Sequence, residues 1–285
     1  MIAVTGSTGP FGRIAIESLL ERGVPAGRIV ALARTPEKAS GLAARGVQVR
    51  RADYSDLESL VAALQGVEKL LFVSGSEAGQ RIPQHRNVVE AARQAGVRLI
   101  AYTSILNADT TGIQLAAEHK ATEEMVRASG IPFVLLRNSW YLENYTGNLA
   151  STVEHGVLLG SADDGRLSAA TRADLAVAAA AVIAGEGHEN RVYELGGDVA
   201  FTLQELAEVI SRESGRPVEY RNLPEDAYAE ALAGFGLPEG FARVLADSDR
   251  GIARGDLFTD SGDLARLIGR PTTTPAQAVA GALNG

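Results

Sequence analysis

From Ile2 to about Arg137 the chain alternates short apolar runs with segments of helical spacing, six times over. The runs are Ile2–Thr5, Ile29–Ala33, Val47–Arg51, Lys69–Val73, Leu99–Thr103 and Phe133–Leu136, rich in Val, Ile, Leu or Phe. Runs that are apolar almost throughout suit strands covered on both faces, as in a parallel sheet. Between them, apolar residues recur at helical spacing, as at Ile14, Ile16, Leu19 and Leu20, then at Leu57, Leu60, Val61 and Leu64. Ser55–Glu58 has the pattern of a capping box. Gly23, Gly46, Gly66, Gly96 and Gly130 each stand between a helical run and the next strand, where a helix stops. Six βα units in succession predict an α/β fold with a doubly wound parallel sheet, the Rossmann arrangement.

After Arg137 the rhythm changes. Short strands are expected at Val157–Leu159, Val192–Leu195 and Val218–Tyr220. An Ala-rich helix should follow Thr171 to about Ala184, and Thr202 with Glu205 should cap another helix to about Glu213. The expected division is a nucleotide-binding domain over 1–139, joined again by about 172–197. The remainder, 140–171 and 198–285, would form a smaller α+β substrate-binding subdomain.

Composition narrows the function. With 27 Lys and Arg against a net charge of −8 and no basic stripe, the chain is a poor candidate for nucleic acid. No cysteine is present, which excludes disulfides, thiolate metal sites and thiol nucleophiles. His85, His155 and His188 have no partner at metal-ligand spacing, so no metal is expected. The most apolar stretch, Leu175–Ala184, is too short to span a bilayer, and no signal peptide is visible. A cytoplasmic location without membrane association is the expectation; the oligomeric state is left open.

The segment Gly6, Ser7, Thr8, Gly9, Pro10, Phe11 and Gly12 follows the first strand and opens the first helix. One glycine permits a sharp turn, one lets main-chain N–H groups approach a pyrophosphate, and the last lets helix and strand pack closely. The helix N-terminus then offers free donors to the diphosphate. In this strand–turn–helix setting the pattern predicts a dinucleotide site. The second strand ends at Arg34 with no carboxylate, and Lys38 follows one turn on. A guanidinium accommodates a 2′-phosphate, so the cofactor expected is NADP, as NADPH. Asp53 after the third strand is a candidate acceptor for the adenine amino group. Ser74, Gly75 and Ser76 after the fourth let the main chain run along the adenosine ribose.

Several segments point further: MIAVTGSTGPFG, GVEKLLFVSGSEAGQRIPQHRNV, GVRLIAYTS, SGIPFVLLRNSWYLENY, RLSAATRADLA, VYELGGD and LADSDRG. Together they resemble NmrA-like atypical short-chain dehydrogenase/reductases, and among them the bacterial NADPH:quinone oxidoreductases of type 2. That resemblance implies cofactor contacts at Gly6–Phe11, Arg34, Ser74–Ser76, Arg172 and the segment Asn138, Ser139, Trp140, Tyr141, Leu142 and Glu143. It also implies direct two-electron reduction of a quinone to a hydroquinone, without flavin. Trp140, Tyr141 and Tyr145 would wall a flat apolar acceptor.

One position departs from the wider superfamily. Ser104 stands after the fifth strand as in typical short-chain dehydrogenases, but Ala116 occupies the place of the tyrosine four before Lys120. The proton donor of alcohol–ketone chemistry is therefore absent. His119 or Lys120 would have to relay a proton, and adjacent helical residues diverge by about 100°, so only one can face a site. Glu123 and Glu124 read as a solvated helix face. The alternative is an NADP(H)-binding redox sensor of the same family that turns nothing over, which the missing tyrosine also suits.

Overall fold

The computed structural model describes residues 1–77 and 79–284; Ala78 and Gly285 lie outside the described residues. The first half runs β1 (Ile2–Val4), α1 (Pro10–Glu21), β2 (Ile29–Ala33), α2 (Ser40–Ala44), β3 (Gln48–Arg51), α3 (Leu57–Ala63) and β4 (Lys69–Phe72). It continues with α4 (Arg81–Gln94), β5 (Leu99–Ile105), α5 (Gln114–Ala128) and β6 (Phe133–Asn138). Every apolar run forms a strand; all five residues of β2 are buried, whereas β3, at the sheet edge, is half-buried to exposed. Each of the five punctuating glycines has positive φ, from +71° at Gly96 to +86° at Gly46. Their backbone leaves the helical basin there, at little cost to a residue without Cβ.

Among the described residues the main sheet has seven strands in the order β3-β2-β1-β4-β5-β6-β8, where β8 is Arg191–Leu195. β1 pairs in parallel with β2 on one side and β4 on the other. The chain therefore winds outward from β1 in one direction, then returns and winds the other way, and β1/β4 is the switch point. Open α/β sheets bind ligands outside the carboxyl ends of their strands at this place. The core on one face is built from Val30, Leu32, Leu60, Leu70, Phe72 and Tyr102 with their neighbours. On α1 rests α8 (Arg172–Ala184), which is apolar on nearly all sides and correspondingly buried.

The chain divides into two compact units. The first comprises Met1–Ile105, Glu118–Asn138 and Arg172–Tyr193. The second comprises Leu106–Ala117, Ser139–Thr171 and Glu194–Gly285. Leu106–Ala117 thus groups apart from the βα units around it in sequence. The second unit contains α6 (Glu143–Thr146), α7 (Leu149–His155), β7 (Val157–Gly160), α9 (Leu203–Ser214) and β9 (Glu219–Asn222). It closes with α10 (Glu225–Gly234), α11 (Glu239–Ala253), α12 (Asp263–Ile268) and α13 (Pro275–Asn284). β7 and β9 pair in parallel, with α9 against both. Helix α9 opens with a reciprocal capping box: Glu205 N donates to Thr202 Oγ1 at 3.1 Å and Thr202 N to Glu205 Oε2 at 2.9 Å.

The other capping assignment needs correction. Asp56, not Ser55, caps α3, accepting from Ser59 N at 3.0 Å. Asp53 turns the chain just before it and takes the Ser55 amide at 2.9 Å, so the helix starts one residue later.

Helix α1 meets the turn after β1 with no room for a methyl group. A Cβ at Gly12 would lie 2.4 Å from the Gly6 carbonyl oxygen and 2.9 Å from Ser7 Cα, both main-chain atoms that cannot rotate aside. Gly12→Ala should therefore cost about 2–3 kcal/mol. Chemical denaturation checks this, and an unchanged midpoint would mean that the turn yields.

Candidate active site

At the switch point Thr5 ties β1 to β4: its N–H donates to Leu71 O at 3.0 Å and its Oγ1 accepts from Val73 N at 2.8 Å. Ser7 is buried and ties the turn to β2, donating from Oγ to Leu32 O at 2.8 Å. Gly6 has φ +58°, and Gly9 N donates to Gly6 O at 3.0 Å, closing the turn. Gly9 caps α1 without any side-chain hydrogen bond, and Pro10 follows at the first helical position. The leading amides of the helix thus carry no side-chain acceptor, and the positive end of its dipole faces outward from the strand ends. Thr8 and Gly9 are half-buried, Pro10 is exposed and Phe11 is buried beneath.

The other strand ends of this unit carry the remaining predicted residues. Arg34 is exposed after β2 and Lys38 is exposed in the short 3-10 turn Pro36–Ala39. Asp53 is half-buried after β3. After β4, Ser74 N donates to Thr103 Oγ1 at 2.9 Å, Gly75 N to His85 Nε2 at 3.0 Å, and Ser76 is exposed. Since Gly75 donates to Nε2, the His85 proton sits on Nδ1, facing Thr122 Oγ1 at 2.9 Å. Burial, and then the nearby Arg81 charge, push the His85 pKa down to about 3, so it stays a neutral acceptor for this loop. At the end of β6, Asn138 is buried with neither Oδ1 nor Nδ2 paired, and the hydroxyl of Ser139 is buried and unpaired as well. Arg172 is half-buried at the start of α8.

In the second unit, Trp140 and Tyr141 are half-exposed while Leu142 is buried. The segment is pinned to Ala170, whose N–H donates to Trp140 O and whose carbonyl accepts from Leu142 N, both at 3.0 Å. Glu143 opens α6, and the half-exposed ring of Tyr145 turns a buried, unpaired hydroxyl inward. Burial chiefly, then Asp249, Tyr228 and Tyr220, raise the Tyr145 pKa well above the usual range.

The three candidate proton donors have different surroundings. Ser104 Oγ donates to Glu123 Oε1 at 2.6 Å, and Arg137 grips the same carboxylate through Nε at 2.9 Å and Nη2 at 2.7 Å. Glu123 is thus a buried ion-pair partner, correcting its reading as a solvated face; Glu124 is exposed as expected. Arg137 on β6 supplies the countercharge that makes the burial tolerable. His119 is buried with Nδ1 2.8 Å from the Tyr102 hydroxyl, and burial lowers its pKa well below normal. Lys120, one residue on, is exposed, and Ala116 is buried. Of a cavity of about 410 Å³ in this unit, the lining includes Met1, Ile2, Lys69 and Leu99. It lies at the strands' amino ends, opposite the glycine turn.

An uncapped glycine turn at the switch point of a parallel sheet, with a cation at the end of β2, defines a dinucleotide-binding Rossmann protein. More narrowly, the chain belongs to the NmrA-like family, whose model matches residues 1–258. It is 55% identical to quinone oxidoreductase 2 of Escherichia coli (strain K12), across 100% of this chain and 99% of that protein. The crystal structure of the E. coli NADPH-dependent quinone oxidoreductase complexed with NADPH matches with a TM-score of 0.97 and 55% identity over 100% of both chains. Triphenylmethane reductase of Citrobacter sp., complexed with NADP(H), matches with a TM-score of 0.94 and 42% identity over 99% of this chain and 100% of that one. The resemblance carried by the sequence segments is borne out.

Among the described residues no helix is long and apolar enough to cross a membrane, and no cluster of three or more His, Asp or Glu is placed to hold a metal.

Asp249, in the segment LADSDRG, carries no local sequence signature of a role. It is buried on α11, accepts from Ser161 N at 2.8 Å, and is pushed up to about 7, chiefly by burial. A carboxyl whose folded pKa lies above its unfolded value of 3.8 binds its proton more tightly in the native state. Its contribution is complete at low pH and is lost as pH rises from about 4 through about 7, by up to about 4 kcal/mol. Asp249→Asn keeps an acceptor for Ser161 without the charge. Thermal melts should show it more stable than the parent at pH 8, with the advantage gone at pH 4; parallel curves would contradict this.

Proposed function

We propose that this protein is an NADPH-dependent quinone oxidoreductase, taking a quinone to its hydroquinone in one two-electron step. What carries the reading is its agreement over the whole chain with an oxidoreductase of that activity, in sequence and in backbone. The local chemistry fits the cofactor. The first turn of α1, beginning at Pro10, has no side-chain cap on its amides, which leaves donors for a diphosphate, and a Cβ at Gly12 would sit 2.4 Å from the Gly6 carbonyl. A buried primary amide with both functions unpaired, as at Asn138, matches a carboxamide that donates and accepts in turn.

In this reading Gly6, Ser7, Thr8, Gly9, Pro10, Phe11 and Gly12 cradle the diphosphate, and Arg34 with Lys38 holds the 2′-phosphate. Asp53 takes the adenine amino group, and Ser74, Gly75 and Ser76 border the adenosine ribose. Asn138, Ser139, Trp140, Tyr141, Leu142, Glu143 and Arg172 hold the nicotinamide half. Bound NADPH supplies a hydride to the acceptor ring. Trp140, Tyr141 and Tyr145 flank that ring and orient it, which supplies rate by removing rotational freedom before the reaction. A quinone gains aromaticity when reduced and spreads the charge of its oxyanion over the ring, so the tyrosine replaced by Ala116 is dispensable. Ser104 would have to break its 2.6 Å bond to Glu123 to give up a proton freely, whereas the exposed ammonium of Lys120 exchanges with water. The reading includes a cytoplasmic location, supported by a chain without cysteine.

Anaerobic mixing with NADPH and a set of benzoquinones and naphthoquinones should deplete NADPH absorbance well above the uncatalysed rate. Tight NADPH binding without turnover of any quinone would leave a sensing module instead.

A further inference from the structure

The end of β2 carries no carboxylate in sequence, but the fold brings one there. Arg34 Nη1 donates to Glu77 Oε1 at 2.7 Å, across 43 residues of chain. The other carboxylate oxygen, Oε2, accepts from Gln84 Nε2 at 2.8 Å, and Gln84 is buried on α4. Glu77 is therefore held at both oxygens, one by the guanidinium and one by a side chain anchored in the core. The loop that carries it is held too: Gly75 donates to His85 and its carbonyl accepts from Arg81 Nε at 2.6 Å. The guanidinium read as the 2′-phosphate receptor already has an internal anion on it.

We propose that Glu77 is a specificity-determining residue, placing on Arg34 a carboxylate with which the 2′-phosphate of the cofactor must compete. The inference rests on the reading of the chain as NADPH-dependent. A 2′-phosphate brought to Arg34 meets the Glu77 charge as a like-charged neighbour and competes with it for the guanidinium. A cofactor with a free 2′-hydroxyl leaves the pair intact and meets no such repulsion. Glu77 thus weakens NADPH binding selectively and narrows the margin over NADH. Arg34 and Glu77 are 66% and 45% exposed, so the effect is that of a surface pair, up to about fivefold in affinity.

Glu77→Gln removes the charge and keeps the size and an oxygen for Gln84; at an exposed position it leaves folding intact. Parent and variant are titrated at low ionic strength with NADPH and NADH, following nucleotide fluorescence. Calorimetry compares adenosine 2′,5′-bisphosphate with adenosine 5′-monophosphate, which reads the phosphate without any turnover. The variant should bind NADPH and the bisphosphate about three- to fivefold more tightly, with NADH and the monophosphate unchanged. Added salt should shrink the difference between parent and variant, because the lost pair is solvent-screened. Equal gains for both nucleotide classes, no gain, or weaker NADPH binding would each overturn the inference. A parent chain that binds no NADPH at all removes the functional reading and this inference together, and that result is seen without any variant.

Discussion

Helix α1 rests on the turn after β1 across a gap that admits only hydrogen at Gly12, and the nucleotide-binding unit is arranged around that approach. Because helix and strand come so close, the turn between them must reverse within a few residues, which forces Gly6 to positive φ. The reversal leaves the first amides of α1 unclaimed, while Thr5 and Ser7 fasten the turn to β4 and β2 on its two sides. A fastened turn that presents helix amides at the point where the sheet changes winding direction follows from these few contacts.

Behind that surface the same unit spends its polar side chains on holding itself together. Ser104, Glu123 and Arg137 share a buried network, and the Tyr102 hydroxyl pairs with His119. His85 is committed to Gly75 and Thr122. A group that is buried, neutral and already paired is a poor proton shuttle, because each transfer would strand a charge or an unpaired donor in a medium of low polarizability. This arrangement suits an acceptor whose product is stabilised by its own aromatic ring better than one that demands a strong acid at the carbonyl.

How much of this was legible in the sequence depended on distance along the chain. Strands β1 to β6, the glycine stops and the Thr202 cap are local: their residues carry the preference within a turn or two, and each was readable. The α3 cap was misplaced by one residue because Ser55 and Asp56 both have capping side chains, and only the turn built by Asp53 selects between them. Glu123 reads as solvated from sequence because helical spacing says which residues share a face, not which strand residue lies opposite; Arg137, 14 positions away, decides it. The contact of Glu77 with Arg34 had no signature at all. The usual place to look for a ribose-binding carboxylate is the end of β2, and here the carboxylate comes from the loop after β4.

The unpaired groups are the other part that no periodicity encodes. Asn138 and Ser139 at the end of β6, and Tyr145 and Ser161 in the second unit, hold buried polar atoms without partners. Each such atom costs about 1–3 kcal/mol, and an apolar side chain of similar shape would remove the penalty. Stability alone therefore gives no reason for an amide at 138 beside a hydroxyl at 139. A ligand that supplies hydrogen-bonding groups there recovers the penalty on binding, so the deficit becomes affinity for a molecule that both donates and accepts. The same logic separates these residues from Asp249, whose carboxyl has the Ser161 amide and relieves its burial by taking up a proton. Asn138 has no proton to take up, so its amide needs partners from a ligand or an ordered water.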